Sequence, residues 1–295
     1  MSSIPRQLAT FAAVLAVLYS AGFIAGQFID TSHGDDDMGH DASSAPMAEH
    51  GGGEGHGPAK AQTVRGLAVA ENGLRLVLQT PEVERDRPAE LRYAVAGDDG
   101  RPVRDFDVSH EKRMHLIVVR RDTTGFQHLH PRMKADGTWT APIRIREAGS
   151  YRVFADFVHD GTATTLAADL RVDGDAELQA MPATTATART DPYEVTIDGK
   201  DVRAGREAEL AFRVTRDGRP VKTEPYLGAG GHLVALREGD LAFLHVHPSE
   251  HADGAGHDDA VAFASTFPTE GRYRLFLQFQ HEGRVQTVAF TQEVR

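Results

Sequence analysis

Beyond residue 60 the chain runs in short stretches where apolar and polar residues alternate, broken every few positions by Gly, Asp, Asn or Pro. LRLVLQ (74–79), AELRYAVA (89–96), HLIVVR (115–120), FQHLH (126–130), IRIR (143–146) and YRVFADF (151–157) are rich in β-branched and aromatic side chains. The clusters ENG, GDDGRP, DTTG, ADG and HDG fall between them. A period of two between such clusters reads as strands and turns. No segment after residue 60 sustains a 3.6-residue apolar period. The pattern therefore predicts an all-β fold, a sandwich of immunoglobulin or cupredoxin type.

The pattern occurs twice. HLIVVRRDTTGFQHLHP (115–131) aligns without a gap on HLVALREGDLAFLHVHP (232–248), and GSYRVFADFVHDG (149–161) aligns on GRYRLFLQFQHEG (271–283). DGRPV recurs at 99–103 and 217–221. The period is too long for a solenoid and predicts tandem domains. The expected organisation is a first sandwich over 61–173, a linker rich in Ala, Thr and Pro over 174–192, and a second sandwich over 193–295.

One long apolar run stands apart, LATFAAVLAVLYSAGFIAGQF (8–28), in an N-terminal segment of residues 1–30. Its length matches the about 20 residues that span a bilayer as a helix. A cleaved secretory signal is the rival reading, although the small-x-small cleavage pattern is poor after both Ala25 and Gly26. Arg6 precedes the run, while Asp30, Asp35, Asp36 and Asp37 follow it. That asymmetry places the remainder outside the cytoplasm. Residues 31–60 carry His33, His40, His50, His56, Met38 and Met47 among Gly, Ser and carboxylates. They are expected to form a disordered tether with weak metal affinity.

Composition narrows the chemistry. There are no cysteines, which excludes disulfides, thiolate metal sites and a cysteine nucleophile. The net charge of −11 argues against a nucleic-acid binder, which must neutralise phosphates. No nucleotide loop, nucleophile elbow or zinc-protease helix is present, and no enzymatic activity is expected. The fifteen histidines are the outlier.

Strand parity puts Phe126, His128 and His130 on one face, and Phe243, His245 and His247 on the equivalent face of the second copy. Phe126 and Trp139 are expected in the core, which draws the imidazoles toward the sandwich interior. The candidate metal ligands are His115, His128 and His130 in copy one, joined by His159, and His232, His245 and His247 in copy two, joined by His281. Copy one adds His110 and Met114, whose thioether would favour Cu(I). Copy two adds His251 and His257 in a loop. Groups of neutral imidazoles suit copper or zinc. Hydrogen-bonded histidines that fasten a sandwich end are the bland alternative. Arg120 and Arg237 fall on the opposite face by parity and are expected in solvent. Asp156 is a candidate to orient a ligand imidazole, a role weakened by Gln278 at its place in copy two.

The H-[LI]-x-V…F-x-HLHP pattern, behind an anchor and a His/Met-rich tether, resembles bacterial extracytoplasmic proteins of the YtkA-like and cupredoxin-like kind. The resemblance covers residues 64–295 as two copies. It implies metal binding or transfer outside the cytoplasm, in a group often associated with copper handling. A metal-transport or acceptor protein is the expected partner, and the apolar run at 8–28 is expected to engage the membrane as an N-terminal helix. Electron transfer through a Cys–Cu bond is excluded by the missing cysteine. The expected function is metal sequestration or delivery, with copper as the leading ion and zinc as the alternative. Affinity is expected to collapse below about pH 6.5, where imidazoles protonate. An adhesion or partner-binding module with immunoglobulin-like spacers is the competing reading, and a copper or zinc enzyme is the third.

Overall fold

The structure is a computed structural model that describes residues 64–199, 201–248 and 260–295, without the side chains of His245 and His247. The expected anchor, the tether and the loop histidines His251 and His257 lie outside the described residues. Among the described residues no helix is long and apolar enough to cross a membrane.

The first copy contains β1 (Ala70–Glu71), β2 (Leu74–Leu78), β3 (Glu82–Val83), β4 (Pro88–Ala96), β5 (His115–Arg120), β6 (Gln127–Leu129), β7 (Arg132–Met133), β8 (Trp139–Arg144), β9 (Gly149–His159) and β10 (Thr162–Val172). One sheet runs β1-β2-β4-β8-β7 and the other β3-β10-β9-β5-β6. The second copy contains β11 (Thr187–Thr190), β12 (Tyr193–Asp198), β13 (Glu207–Arg216), β14 (Arg219–Pro220), β15 (His232–Arg237), β16 (Phe243–His245), β17 (His247–Pro248), β18 (Ala260–Thr266), β19 (Gly271–His281) and β20 (Arg284–Val294). Its sheets run β11-β12-β13-β18-β17, with β14 beside β13, and β16-β15-β19-β20. The described chain is all-β, as the alternation predicts.

Two boundaries differ from expectation. The linker ends before β11, which pairs with β12 and so belongs to the second sandwich. Strand β8 starts at Trp139, because Trp139, Ala141 and Ile143 alternate into the core while Thr140, Pro142 and Arg144 do not. Strand β10 lacked a strong sequence signal, being built largely of Thr and Ala. It closes a hairpin with β9 through Asp160 and Gly161, both at positive φ, the geometry of a type I′ turn.

Each sandwich has its own core. Leu116 and Val118 of β5 pack with Leu91, Trp139, Tyr151 and Val153. Leu233 and Ala235 of β15 pack with Phe212, Phe263, Tyr273 and Phe279. Yet β5 is buried along both faces, as its unbroken apolar run requires. Its other face, Ile117 and Val119, joins Phe154, Ala167, Val234, Leu236, Phe243 and Phe276 in a third apolar cluster between the sandwiches. The two sandwiches belong to one compact unit.

The seam is built from matching positions of the two copies. Phe126 of copy one stacks on Phe276 of copy two, with centroids 4.0 Å apart. Phe154 of copy one reciprocally meets Phe243 of copy two at 5.5 Å. Phe126 corresponds to Phe243, and Phe154 to Phe276. Reciprocity of this kind marks a local two-fold relation, the geometry of an isologous contact. Phe126 is therefore a seam residue. The histidines that share its face point out of their own sandwich and into the seam, not into the sandwich interior.

Candidate metal centre

His115 opens β5 on the same face as Ile117 and Val119, and only 3% of its surface is exposed. The β5–β6 register sets His128 opposite Ile117. Three ring nitrogens, one each from His115, His128 and His130, lie within 4.8 Å of one another. A common point thus lies about 2.8 Å or less from all three, while a bound ion needs ligand distances of about 2.0–2.1 Å. A contraction under an ångström completes the triad. The other copy supplies His232, whose ring stacks 5.5 Å from His115 and 4.9 Å from His128. His110 adds a fifth ring, 6.2 Å from His115 and 5.9 Å from His232. It sits in a tight turn at φ 47°, the left-handed region that residues other than Gly adopt only infrequently.

The hydrogen bonds fix the tautomers. Nε2 of His115 lies 3.1 Å from the carbonyl oxygen of Ser109, which can only accept, so this nitrogen carries the proton. Nδ1 of His128 donates to Oε1 of Gln278 at 2.6 Å. The Gln278 amide is oriented in turn by its Nε2, which donates to Thr287 Oγ1 at 3.1 Å. The two remaining nitrogens, Nδ1 of His115 and Nε2 of His128, face each other at 3.0 Å. In neutral rings both are lone pairs. They tolerate that approach only with a proton or a cation between them.

A proton is disfavoured. Burial, then the neighbouring His115, lowers His128 to about 3, against a smaller upward pull from the Gln278 hydrogen bond. Burial, His115 and Lys112 lower His130 to about 4. Nε2 of His130 is buried without a hydrogen-bond partner. An unsatisfied buried polar atom of this kind costs about 1–3 kcal/mol. Imidazoles held neutral, converging lone pairs and outer nitrogens donating to oxygen acceptors match what metal-ligating histidines require.

The remaining sequence candidates are not brought to this cluster. Met114 is 1% exposed and packs in the first sandwich core, because its parity is that of Leu116. The bias toward Cu(I) goes with it. His159 ends β9 on the Tyr151–Phe157 face, where its Nδ1 donates to the Asp105 carbonyl at 2.9 Å. His281 holds the equivalent place, hydrogen-bonded through Nδ1 to the Tyr193 hydroxyl at 2.9 Å. Both fasten sandwich ends. The expectation of one separate site per copy also changes, because His232 leaves its own sandwich to stack on His115. Backbone register places His245 opposite Val234 and His247 opposite Ala264.

Sequence reasoning missed two partners of the cluster. One is the Ser109 carbonyl, which carries no sequence signal. The other is Gln278, which sits in register opposite His232 as Asp156 sits opposite His115. Gln278 orients the imidazole of the opposite copy. Asp156 is buried and accepts a hydrogen bond from Thr165 Oγ1 at 2.6 Å. Arg120 is buried, not solvated, and pairs with Asp122 at 2.7 Å and Glu147 at 2.9 Å. Arg237 is partly buried and pairs with Asp240 at 2.5 Å.

The sequence matches the domain family DUF8832, described as a domain of unknown function, over residues 68–174 and again over 187–295. The chain belongs to this family. No curated protein sequence matches it. Solved structures similar to the chain include the Escherichia coli adhesin FdeC, at 14% identity and a TM-score of 0.27, covering 77% of this chain and 66% of the adhesin. Salmonella alpha-2-macroglobulin matches at 13% identity and a TM-score of 0.28, over 79% of this chain and 15% of that one. A chimeric titin Z1Z2-Z1Z2 tandem matches at 15% identity and a TM-score of 0.20, over 74% and 96%. The chain thus spans 66% of the adhesin and a small part of the macroglobulin.

Proposed function

We propose that this DUF8832 protein binds a metal ion in the seam between its sandwiches, as a carrier that sequesters or delivers it. The ion is cargo. The residues that would hold it are His115, His128 and His130, with His232 and His110 alongside. The observation that carries this reading is the pair of lone-pair nitrogens on His115 and His128 facing each other at 3.0 Å, each ring fixed from behind by an oxygen acceptor. A donor set of imidazoles suits Cu(II), with zinc as the alternative.

Ser109 and Gln278 hold the two rings in the tautomer that presents a lone pair inward, and the apolar seam keeps water from solvating them. Because burial keeps His128 and His130 neutral to about 3 and about 4, proton competition at these two ligands sets in well below the pH 6.5 expected from free imidazole. We further propose that residues 8–28 anchor the chain in a membrane with the sandwiches outside the cytoplasm. The His-rich tether would then capture ions weakly and feed the seam, and an acceptor protein would take them onward.

The test is a calorimetric titration of the full chain with Cu(II) and with Zn(II), beside a His115→Ala/His128→Ala/His130→Ala variant. The expected result is loss of the tightest site in the variant, with the weaker tether sites retained. An unchanged tightest site would remove the reading.

A further inference from the structure

Beside the histidine cluster lies a cavity of about 350 Å³, walled by Arg65, Lys112, His110, His115 and Asp156. This is within the range of small-molecule sites, about 300–1,000 Å³. Phe157 and Val158 contribute an apolar part of its wall. Its charge is unusual for this molecule. The chain as a whole is acidic, at −11, and many of its arginines are paired with carboxylates, as in Arg144–Asp86 and Arg272–Glu238. Arg65 and Lys112, both half-buried, have no carboxylate partner among the described residues. Against these two cations the wall holds one carboxylate, Asp156, which accepts a hydrogen bond from the Thr165 hydroxyl.

Arg65 is placed there by the fold. Its carbonyl accepts the N–H of Phe243 from the second sandwich at 2.9 Å, and the following Gly66 donates to the Thr165 carbonyl at 3.2 Å. This strap is wedged so tightly that a Cβ on Gly66 would sit 2.7 Å from Phe243 Cβ. Lys112 is held from the other side by the turn Ser109–Lys112, closed by reciprocal backbone hydrogen bonds of 2.8 and 3.0 Å. Two fixed cations around a partly apolar cavity form a receptor for a small anion, since an oxyanion replaces the water that half-buried ammonium and guanidinium groups must otherwise retain.

We propose that this cavity binds a small oxyanion, held by Arg65 and Lys112 next to the His115 ring. The site does not depend on the metal reading, because both cations are present without any ion in the seam.

The test uses the full chain freed of metal, titrated calorimetrically at low salt with inorganic phosphate and, separately, with citrate. Arg65→Met, Lys112→Met and the control Lys134→Met are compared with it. Lys134 pairs with Glu90 on the surface and does not line the cavity. The expected result is one saturable site for at least one probe, weakened about tenfold or more in both cavity variants and unchanged in the control. Tighter phosphate binding assigns an inorganic anion, and tighter citrate binding assigns a carboxylate. Absence of a saturable site for both probes, or equal affinity in all variants, overturns the proposal. Lys112 lies in a turn, so its variant is informative even if Arg65→Met alters the strap. Working without metal separates failure here from failure of the seam site.

Discussion

The rings of His115 and His232 stack 5.5 Å apart with 8° between their planes. These are equivalent residues of the two copies, so the stack lies on the local two-fold relation that also pairs Phe126 with Phe276 and Phe243 with Phe154. Duplication here does more than repeat a domain. It brings one strand face of each copy together and joins His232 of the second copy to the histidine rings of the first.

Because Gln278 reaches from the second copy to fix His128 of the first, it is a positioning residue for the cluster. Gln278→Leu removes the acceptor at Nδ1 and frees the ring to flip. Loss of such an outer partner costs metal affinity about 10–100-fold. Calorimetry should show that loss in the tightest site, while Gln278→Asn, able to accept in the same way over a shorter reach, recovers part of it. An unchanged affinity in Gln278→Leu would deny the residue this role.

The aromatic pairs of the seam should couple the two sandwiches energetically. Phe276→Ala deletes a buried ring, at about 3–5 kcal/mol, and Phe126→Ala, whose ring is only partly buried, costs less. The pair itself is worth about 0.5–1.5 kcal/mol beyond its burial. A double-mutant cycle in urea should therefore return a coupling of that size. Additivity within error would mean that the stack adds nothing specific.

Much of this was legible in the sequence. Alternation together with β-branched and aromatic enrichment placed strands close to β2, β4, β5, β6 and β9, and the repeat placed two sandwiches. The unbroken apolar run of HLIVVR was the missed signal, since a strand with one solvated face would alternate and β5 does not. Reading it as doubly buried points to a second packed surface, and from there to histidines in a seam. Parity correctly grouped His128 and His130 with Phe126, but it cannot say which apolar surface a face meets. The roles of Ser109 and Gln278 arise from contacts between distant segments, 150 residues apart for His128 and Gln278, and no local pattern encodes them.

Acid should weaken the metal-free fold through His128 and His130. Their folded values are about 3 and about 4, below the 6.5 of an unfolded-chain imidazole. Below about pH 6.5 the unfolded state therefore binds protons that the folded state refuses, and stability falls with pH until the folded values are reached. Melting temperatures of the metal-free protein should drop across pH 6.5 to 4. A His128→Gln/His130→Gln variant, which removes both titrations, should show a shallower drop. Saturating metal should raise the whole curve, by about 2.7 kcal/mol at a hundredfold excess over Kd. Parallel slopes in parent and variant would count against the buried neutral state.

His159 and His281 should separate from the cluster in every assay. Each is hydrogen-bonded at the end of its own sandwich, to the Asp105 carbonyl and to the Tyr193 hydroxyl. Replacing both by Ala should leave the metal stoichiometry and affinity unchanged and cost stability of about 1 kcal/mol per lost hydrogen bond. Calorimetry and urea unfolding on the same variant read the two effects independently. A fall in metal affinity with stability intact would mean that the sandwich-end histidines ligate after all, and that the seam is not the whole centre. The geometry argues the other way. Both residues lie on the faces of β9 and β19 that look into the sandwich cores, opposite the faces that carry Phe154 and Phe276 into the seam.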